Sequence, residues 1–486
     1  MENIFRGPER RDKKVKRVEG FSQHLVSLRD KRWKEIRSII TPSFTASKMK
    51  QMAPIMNTAI DSLVANVEKK CAAGEAFDIY PFYQGLTMDV IGRTAFGIQT
   101  DSQNNPNDPL LRSSKILFSQ DIRNPIAVLC KEGIIVRNYF FAVSFRSLTT
   151  LWTWLNRIRL MINNQGSNPV KELIESVKAV IATRRQNKEN KRPDLLQLMI
   201  DAEIDDLSKV TSDDLTAKDD TEVDEKEKKN RSSSGKLIRR MTDADILDNS
   251  VIFFLAAYET TSTALAFTTH FLIHYPEAQE KIRQEVQQLL EKPKLFTGRM
   301  VSKITPNGIT PKVASRREYE RGESISLRGE LDYYSVNKLQ YLDQVLQESL
   351  RLYPPVYLFV SRECGEDVDL GEIKLKKGMG IQVPSYHLHR DPELWGTDAS
   401  EFKPERFSPE NKSKIHPMAF QAFGQGPRNC VGMRFAYMEA KLALARLLSK
   451  YKFKICSKTD KEKLDLKIST FAINPKRGIW TTAIPV

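Results

Sequence analysis

The stretch FGQGPRNCVG, residues 423–432, surrounds one cysteine with three glycines, an arginine and an aromatic ring, at the start of a helical run. A thiolate is a strong, soft metal ligand, and it stays ionised where positive potential and hydrogen-bond donors reach it. The first turn of a helix supplies both. Gly424, Gly426 and Gly432 permit close backbone approach. Arg428 can serve an anionic group on the same ligand, and Phe423 can pack over the sulfur. No second cysteine or histidine lies beside Cys430, which argues against zinc. One thiolate with an arginine and an aromatic fits a haem iron held axially by cysteine.

A second candidate lies in VIFFLAAYETTSTALAFTTHFLI, residues 251–273. Ile252, Ala256, Thr260 and Ala264 recur every four residues and share one helix face. Ala256 opens space there beside the Thr260 hydroxyl, which suits a bulky flat ligand that needs one hydrogen-bonding group. A core helix with alanine chosen for packing gives the same pattern. The run is also long enough to cross a bilayer. Against a crossing stand Glu259, six Thr or Ser side chains, and the polar MTDADILDN before it. Thr242 and Asp245 there form a capping-box start. Inside a protein, Glu259 needs a partner or a function, because a buried carboxylate is costly alone.

The elements that position these residues read mostly as helix. Residues 33–67 are helical with a break at Pro42, and 168–186, 243–275, 275–292, 339–354 and 432–451 follow. Strand-like runs come late, at 378–386, 452–457, 464–469 and 479–485. The chain has 486 residues, 40% hydrophobic and 28% charged, which is ordinary globular composition with room for a sizeable core. Five scattered cysteines make no disulfide framework and favour a reducing compartment. A net charge of +15 favours an acidic protein or lipid surface, and no motif accompanies it that would point to nucleic acid. Residues 204–240 run from acidic to basic to Ser-rich and read as a mobile loop. Residues 294–331 are polar and aperiodic and read as an insertion. The first 20 residues are mostly charged, without the apolar run of a signal peptide or anchor.

Phe423, Gly426, Arg428, Cys430 and Gly432 together match the haem-binding signature of the cytochrome P-450 family, which this sequence resembles. AAYETT (256–261) is similar to that family's oxygen-activation motif. QESLR (347–351) and PERF (404–407) supply Glu348, Arg351 and Arg406, its Glu–Arg–Arg folding triad. Trp33 and Arg37 resemble the pair that meets a haem propionate, and Arg362 falls where the family places a further propionate arginine. YETTS, PSYHLHRDP and GPRNCVGMRFA resemble the microsomal clan that includes the drug-oxidising 3A enzymes and thromboxane synthase. The resemblance implies one haem-thiolate catalytic domain over 1–486, mainly α with a small β portion.

The same resemblance implies the roles. Cys430 is the axial ligand of the haem iron. Trp33, Arg37, Arg362, Phe423 and Arg428 surround the cofactor, and Thr260 and Glu259 handle oxygen and protons. Ile252, Ala256, Val356, Phe359 and the STFAIN segment (469–474) face substrate. Glu348, Arg351 and Arg406 are structural. The implied reaction is monooxygenation of a lipophilic small molecule. Electrons come from NADPH through cytochrome P-450 reductase, with cytochrome b5 as a further partner, on the cytosolic face of the endoplasmic reticulum membrane. His387 and His389 suggest a metal, but their segment reads as packed structure. Two departures stand out. Ala257 replaces a usual glycine, and the Trp33 helix comes so early that the anchor, first helix and much of the main sheet are expected to be missing. A truncated haem-binding relative without turnover, and a haem-thiolate isomerase that needs no reductase, are the alternatives.

Overall fold

The computed structural model describes residues 5–6, 23–105, 107–118, 169–186, 192, 194–202, 240–291, 331–357, 360–469 and 472–486. The loop expected at 204–240 and the insertion at 294–331 lie outside these, apart from Arg240 and Leu331. So do Phe359 and most of 110–165.

The principal helices are α1 (Asp30–Ile40), α2 (Ala46–Ala72), α3 (Tyr80–Ala95), α4 (Pro109–Phe118), α5 (Pro169–Gln186), α6 (Leu195–Asp201), α7 (Asp243–His274), α8 (Pro276–Glu291), α9 (Gln340–Leu352) and α10 (Met433–Leu448). The break expected at Pro42 is a 3-10 turn, Thr41–Phe44, between α1 and α2. A proline there lacks the amide that a continuing α-helix would need.

The strands are β1 (Phe5–Arg6), β2 (Phe77–Asp78), β3 (Val360–Cys364), β4 (Val368–Asp369), β5 (Lys374–Leu375), β6 (Gly380–Val383), β7 (Tyr451–Lys454), β8 (Leu466–Ile468), β9 (Ile473–Pro475) and β10 (Trp480–Pro485). They form two three-stranded sheets, β1-β3-β6 and β2-β10-β7, and the hairpins β4-β5 and β8-β9. Sequence reading placed every strand late, and β1 and β2 correct that, while β3, β4 and β5 lie late but just before the first expected run. β1 and β2 are two residues each, too short for alternation to register, and are held only by their antiparallel partners.

Helix α7 organises the fold. It begins at the expected capping box, with the Thr242 hydroxyl accepting from the Asp245 amide while the Asp245 carboxylate accepts from the Thr242 amide. Arg32 of α1 also bonds the Asp245 carboxylate, which fixes α1 to the start of α7. Among the described residues α7 alone is long and apolar enough to cross a membrane, and its most apolar window is 78% buried inside the fold. It is therefore a core helix, apolar on nearly every side because protein surrounds it. Phe254 stacks on Phe96 at 4.0 Å and Phe271 on Phe402 at 4.3 Å, one contact in each half of α7.

Helix α3 was not legible in the sequence. Twelve of its sixteen residues are buried, so no polar face marks a helical period. Pro81 in its first turn is tolerated because that amide has no helical partner.

Glu348, Arg351 and Arg406 meet at the end of α9. The Arg351 guanidinium grips Glu348 with two bonds, 2.7 and 2.8 Å, and donates to the carbonyls of His389, Ala399 and Glu401. Arg406 reaches Glu348 at 3.3 Å and the carbonyls of Trp395 and Asp398. The pair is wholly buried but fully hydrogen-bonded, which is the condition under which buried charges are tolerated.

Candidate functional site

The loop before α10 is shaped by two glycines. Gly424 and Gly426 have φ of 70° and 74°, the left-handed region that other residues enter only at a penalty. The Cys430 amide donates to the Phe423 carbonyl at 2.8 Å, closing the loop into a ring. A 3-10 turn at Gly426–Arg428 then carries the chain to Gly432, the N-cap of α10. Gly432 itself has an ordinary φ of −90°, so its small size is not required by its backbone.

Cys430 is thus held at the head of α10. Burial pushes its thiol pKa up, while the Gly432 amide and the Arg37 charge pull it down. A metal would decide that balance, because a coordinating thiol is deprotonated outright.

Three arginines surround the same region. Arg37 donates to the Asn429 carbonyl and to Asn429 Oδ1, both at 3.0 Å. Its Nε is buried with no hydrogen-bond partner among the described residues. Arg428 lies 4.4 Å over the Trp33 ring and donates to the Leu28 carbonyl. Among the described residues, the Arg362 guanidinium, on β3, bonds only the carbonyl of its neighbour Ser361. Burial brings the Arg37 pKa down to about 10, against the attraction of Cys430. Burial, followed by repulsion from Arg362, Arg29 and Arg37, brings Arg428 to about 10, with Asp30 opposing. Crowded cations, one with an orphaned buried donor, are what a site for an anionic group with two carboxylates looks like before the anion is counted.

Among the described residues, α7 carries one open stripe. Ala256 is exposed, and Ile252, Thr260 and Ala264 are half-exposed, on a helix whose other faces are buried. Ala257 beside them is half-buried. The Thr260 hydroxyl donates to the Ala256 carbonyl at 2.6 Å, so on the open side of the helix it presents lone pairs. Val356 is half-buried and follows Pro355, whose carbonyl accepts the Ile473 amide at 2.9 Å. Phe423 is half-exposed and packs on Tyr437 at 5.1 Å.

Glu259 takes a different direction from Thr260. It is 1% exposed, and its Oε1 accepts from Tyr80 Oη at 2.9 Å and from Asn474 Nδ2. Tyr80 Oη in turn accepts from Asn474 Nδ2 at 3.0 Å and lies 3.1 Å from Thr263 Oγ1. Burial raises the Glu259 pKa to about 7, against the bond from Tyr80 and the pull of Lys467, Gln84 and Lys115. No hydrogen bond joins its carboxylate to the Thr260 hydroxyl. Tyr80 and Asn474 were not singled out in the sequence as polar partners. A buried acid announces that partners exist, but these stand 179 and 215 residues away.

His389 is buried, with Nδ1 bonded to the Arg351 carbonyl at 3.1 Å and Nε2 accepting the Gln421 amide at 2.8 Å. Both ring nitrogens are occupied, so its role is to brace the loop toward Cys430 rather than to bind a metal.

The family model described as Cytochrome P450 matches residues 3–305 and 310–482. The chain belongs to the cytochrome P450 family. It is 31% identical over 468 residues to cytochrome P450 3A11 of Mus musculus, covering 96% of this chain and 76% of that protein. It is 32% identical over 441 residues to cytochrome P450 3A7 of Homo sapiens, covering 90% and 72%. Against cytochrome P450 3A5 of Homo sapiens it is 32% identical over 452 residues, covering 93% and 73%. The fold is that of a helix-rich P450 domain with a small sheet portion, the cofactor is haem with a cysteine thiolate ligand, and the general activity is that of a haem monooxygenase. The thiol at a helix head, the arginine cluster and the apolar stripe fit that cofactor's iron, carboxylates and flat ring.

Proposed function

We propose that this P450 inserts one atom of O2 into a lipophilic small molecule, with electrons drawn from NADPH through a reductase. The observation that carries the reading is the open face of α7, Ile252–Ala256–Thr260, apolar apart from one hydroxyl on a helix otherwise buried.

Cys430 is the residue that holds the haem iron, and Arg37, Arg362 and Arg428, with Trp33, hold the haem carboxylates by charge-assisted bonds. When bound, the haem would supply the oxygen-activating chemistry, with Cys430 as the thiolate that tunes it. Thr260, with its proton turned to the Ala256 carbonyl, accepts a hydrogen bond from whatever proton-bearing group stands over Ala256. Glu259 holds a proton near neutral pH one residue away, in the range where an acid or base serves catalysis best. Ile252, Ala256 and Val356 give substrate an apolar wall with no charged group on it, and Phe359 is assigned to the same wall from sequence. Apolar substrates follow, because a polar one would lose hydration there without a partner.

The positive surplus of the chain suits an acidic redox partner such as NADPH–cytochrome P450 reductase or cytochrome b5. Similarity to 3A relatives supports association with the endoplasmic reticulum membrane, on its cytosolic face. The test is the absorption spectrum of the reduced chain under carbon monoxide. A strongly red-shifted Soret band that Cys430→Ala abolishes supports the assignment, whereas a band unchanged by that substitution overturns it. NADPH consumption that depends on added reductase then separates oxygenation from a rearrangement that needs none.

A further inference from the structure

We propose that Asn474 is a positioning residue that ties the ionisation of Glu259 to the wall of the substrate cavity. Asn474 lies on β9, opposite Lys467 of β8 in the hairpin register. Its Nδ2 donates to both Glu259 Oε1 and Tyr80 Oη, while its own Oδ1 has no partner. While Glu259 is ionised this orientation is required, since the flipped amide would set an oxygen against a carboxylate. One residue earlier, the Ile473 amide donates to the Pro355 carbonyl, and Val356 follows directly. A continuous chain of bonds therefore runs from Glu259 through Asn474 and the β9 backbone to the segment that carries Val356.

The strength of the first link depends on charge. A carboxylate accepts a hydrogen bond about twice as strongly as a neutral group does. Deprotonated Glu259 therefore grips Asn474 and pins β9 against Pro355, and protonation loosens both. The groups that face Glu259 among the described residues all act on this balance in a stated sense. Tyr80 of α3 donates to it, the Gln84 side chain of α3 also favours its ionised form by hydrogen bonding, and Lys467 of β8 and Lys115 of α4 attract its charge. Tyr258, on the same helix as Glu259, and Tyr80 remain neutral, because burial and the carboxylate both raise their pKa. Lys467 strengthens the ionised state through its charge, and Asn474 transmits that state to the strand by a hydrogen bond. Burial raises the Glu259 pKa to about 7, inside the pH range of the measurement below.

The coupling rests on the reading above only in that Val356 is taken to face substrate, and its test does not need turnover. The measurement is amide hydrogen exchange at Ile473 in the holoenzyme from pH 5.5 to 8.5, with each rate divided by the intrinsic chemical rate at that pH. Protection is expected to rise roughly three- to tenfold from pH 6 to pH 8. Glu259→Gln and Asn474→Ala should both give low protection that does not change with pH. Tyr80→Phe removes one bond that favours the ionised acid, so it should keep the rise and move its midpoint upward. A flat profile in the unsubstituted protein, or an intact rise in Glu259→Gln, overturns the proposal. The carbon monoxide band recorded on the same samples reports haem and thiolate separately, so failure of the oxygenase reading and failure of the coupling are distinguishable.

Discussion

Arg37 holds Asn429, the residue before Cys430, with both terminal nitrogens and keeps a third, Nε, buried and unpartnered among the described residues. One side chain thus sets the backbone of the ligand loop and keeps a donor in reserve for an anion. Arg37→Leu should weaken haem retention by roughly ten- to hundredfold, the range for losing one or two charge-assisted bonds. Arg37→Lys should recover only part, because a point charge cannot serve Asn429 and a carboxylate in one plane. Transfer of haem to an apo-globin acceptor measures the rate, and unchanged transfer from Arg37→Leu would remove Arg37 from the site.

Glu348 and Arg351 are both wholly buried, and each is the other's only compensating charge of comparable burial. Truncating one partner strands the other. Glu348→Ala should destabilise the chain by about 3–5 kcal/mol. Arg351→Lys should fare little better, because three carbonyls and a carboxylate match a guanidinium fork and not an ammonium. Denaturant midpoints, or the yield of folded holoprotein where the variants do not accumulate, check this.

How far these features could be read in advance depended on whether their signal was local. The capping box at Thr242 and Asp245, the break at Pro42 and the periodic stripe on α7 are each written within a few residues, and each appears where expected. The motif spacing also brought Glu348, Arg351 and Arg406 together on paper, since each short segment is distinctive. Helix α3 left no trace because burial on all sides erased its period. The two-residue strands β1 and β2 exist only through their partners. The partners of Glu259 were hidden for a third reason. Tyr80 and Asn474 are ordinary residues until folding sets them beside an acid, and no spacing rule connects positions so far apart. The sequence could state that Glu259 needed company, but not that this company would turn it from Thr260.

That turn bears on Thr260. Its hydroxyl faces the open side of the helix, alone among the polar side chains of the α7 stripe, and it already donates to Ala256. Thr260→Ala should leave substrate binding nearly unchanged, while product formed per NADPH falls by roughly tenfold or more and peroxide rises in proportion. Thr260→Ser should retain most of the coupling. Simultaneous assays of NADPH, peroxide and product decide it, and equal coupling in Thr260→Ala would show that the hydroxyl is packing only.

Glu439, on α10, presents a different kind of buried acid. It is 0% exposed, both carboxylate oxygens lack hydrogen-bond partners among the described residues, and burial drives its pKa well above the usual carboxylate range. Phe435 lies one turn before it and stacks edgewise on Phe44, and Arg446 two turns beyond bonds Asp61. That face of α10 therefore packs on α2 and the turn before it, with an acid between an aromatic contact and an ion pair. An acid whose folded pKa is raised binds its proton more tightly in the folded state than in the unfolded one. Its contribution is most favourable below the unfolded pKa, and stability is lost as pH rises from there toward the folded value. Glu439→Met removes the orphaned oxygens at similar volume, so it should stabilise the chain by about 1–3 kcal/mol at pH 8. At pH 5 the gain should be smaller, since both states there hold more of the proton. Urea midpoints at the two pH values measure the difference. A variant that is less stable at pH 8, or a gain that does not grow with pH, would mean that Glu439 has a partner in the native protein and is ionised there.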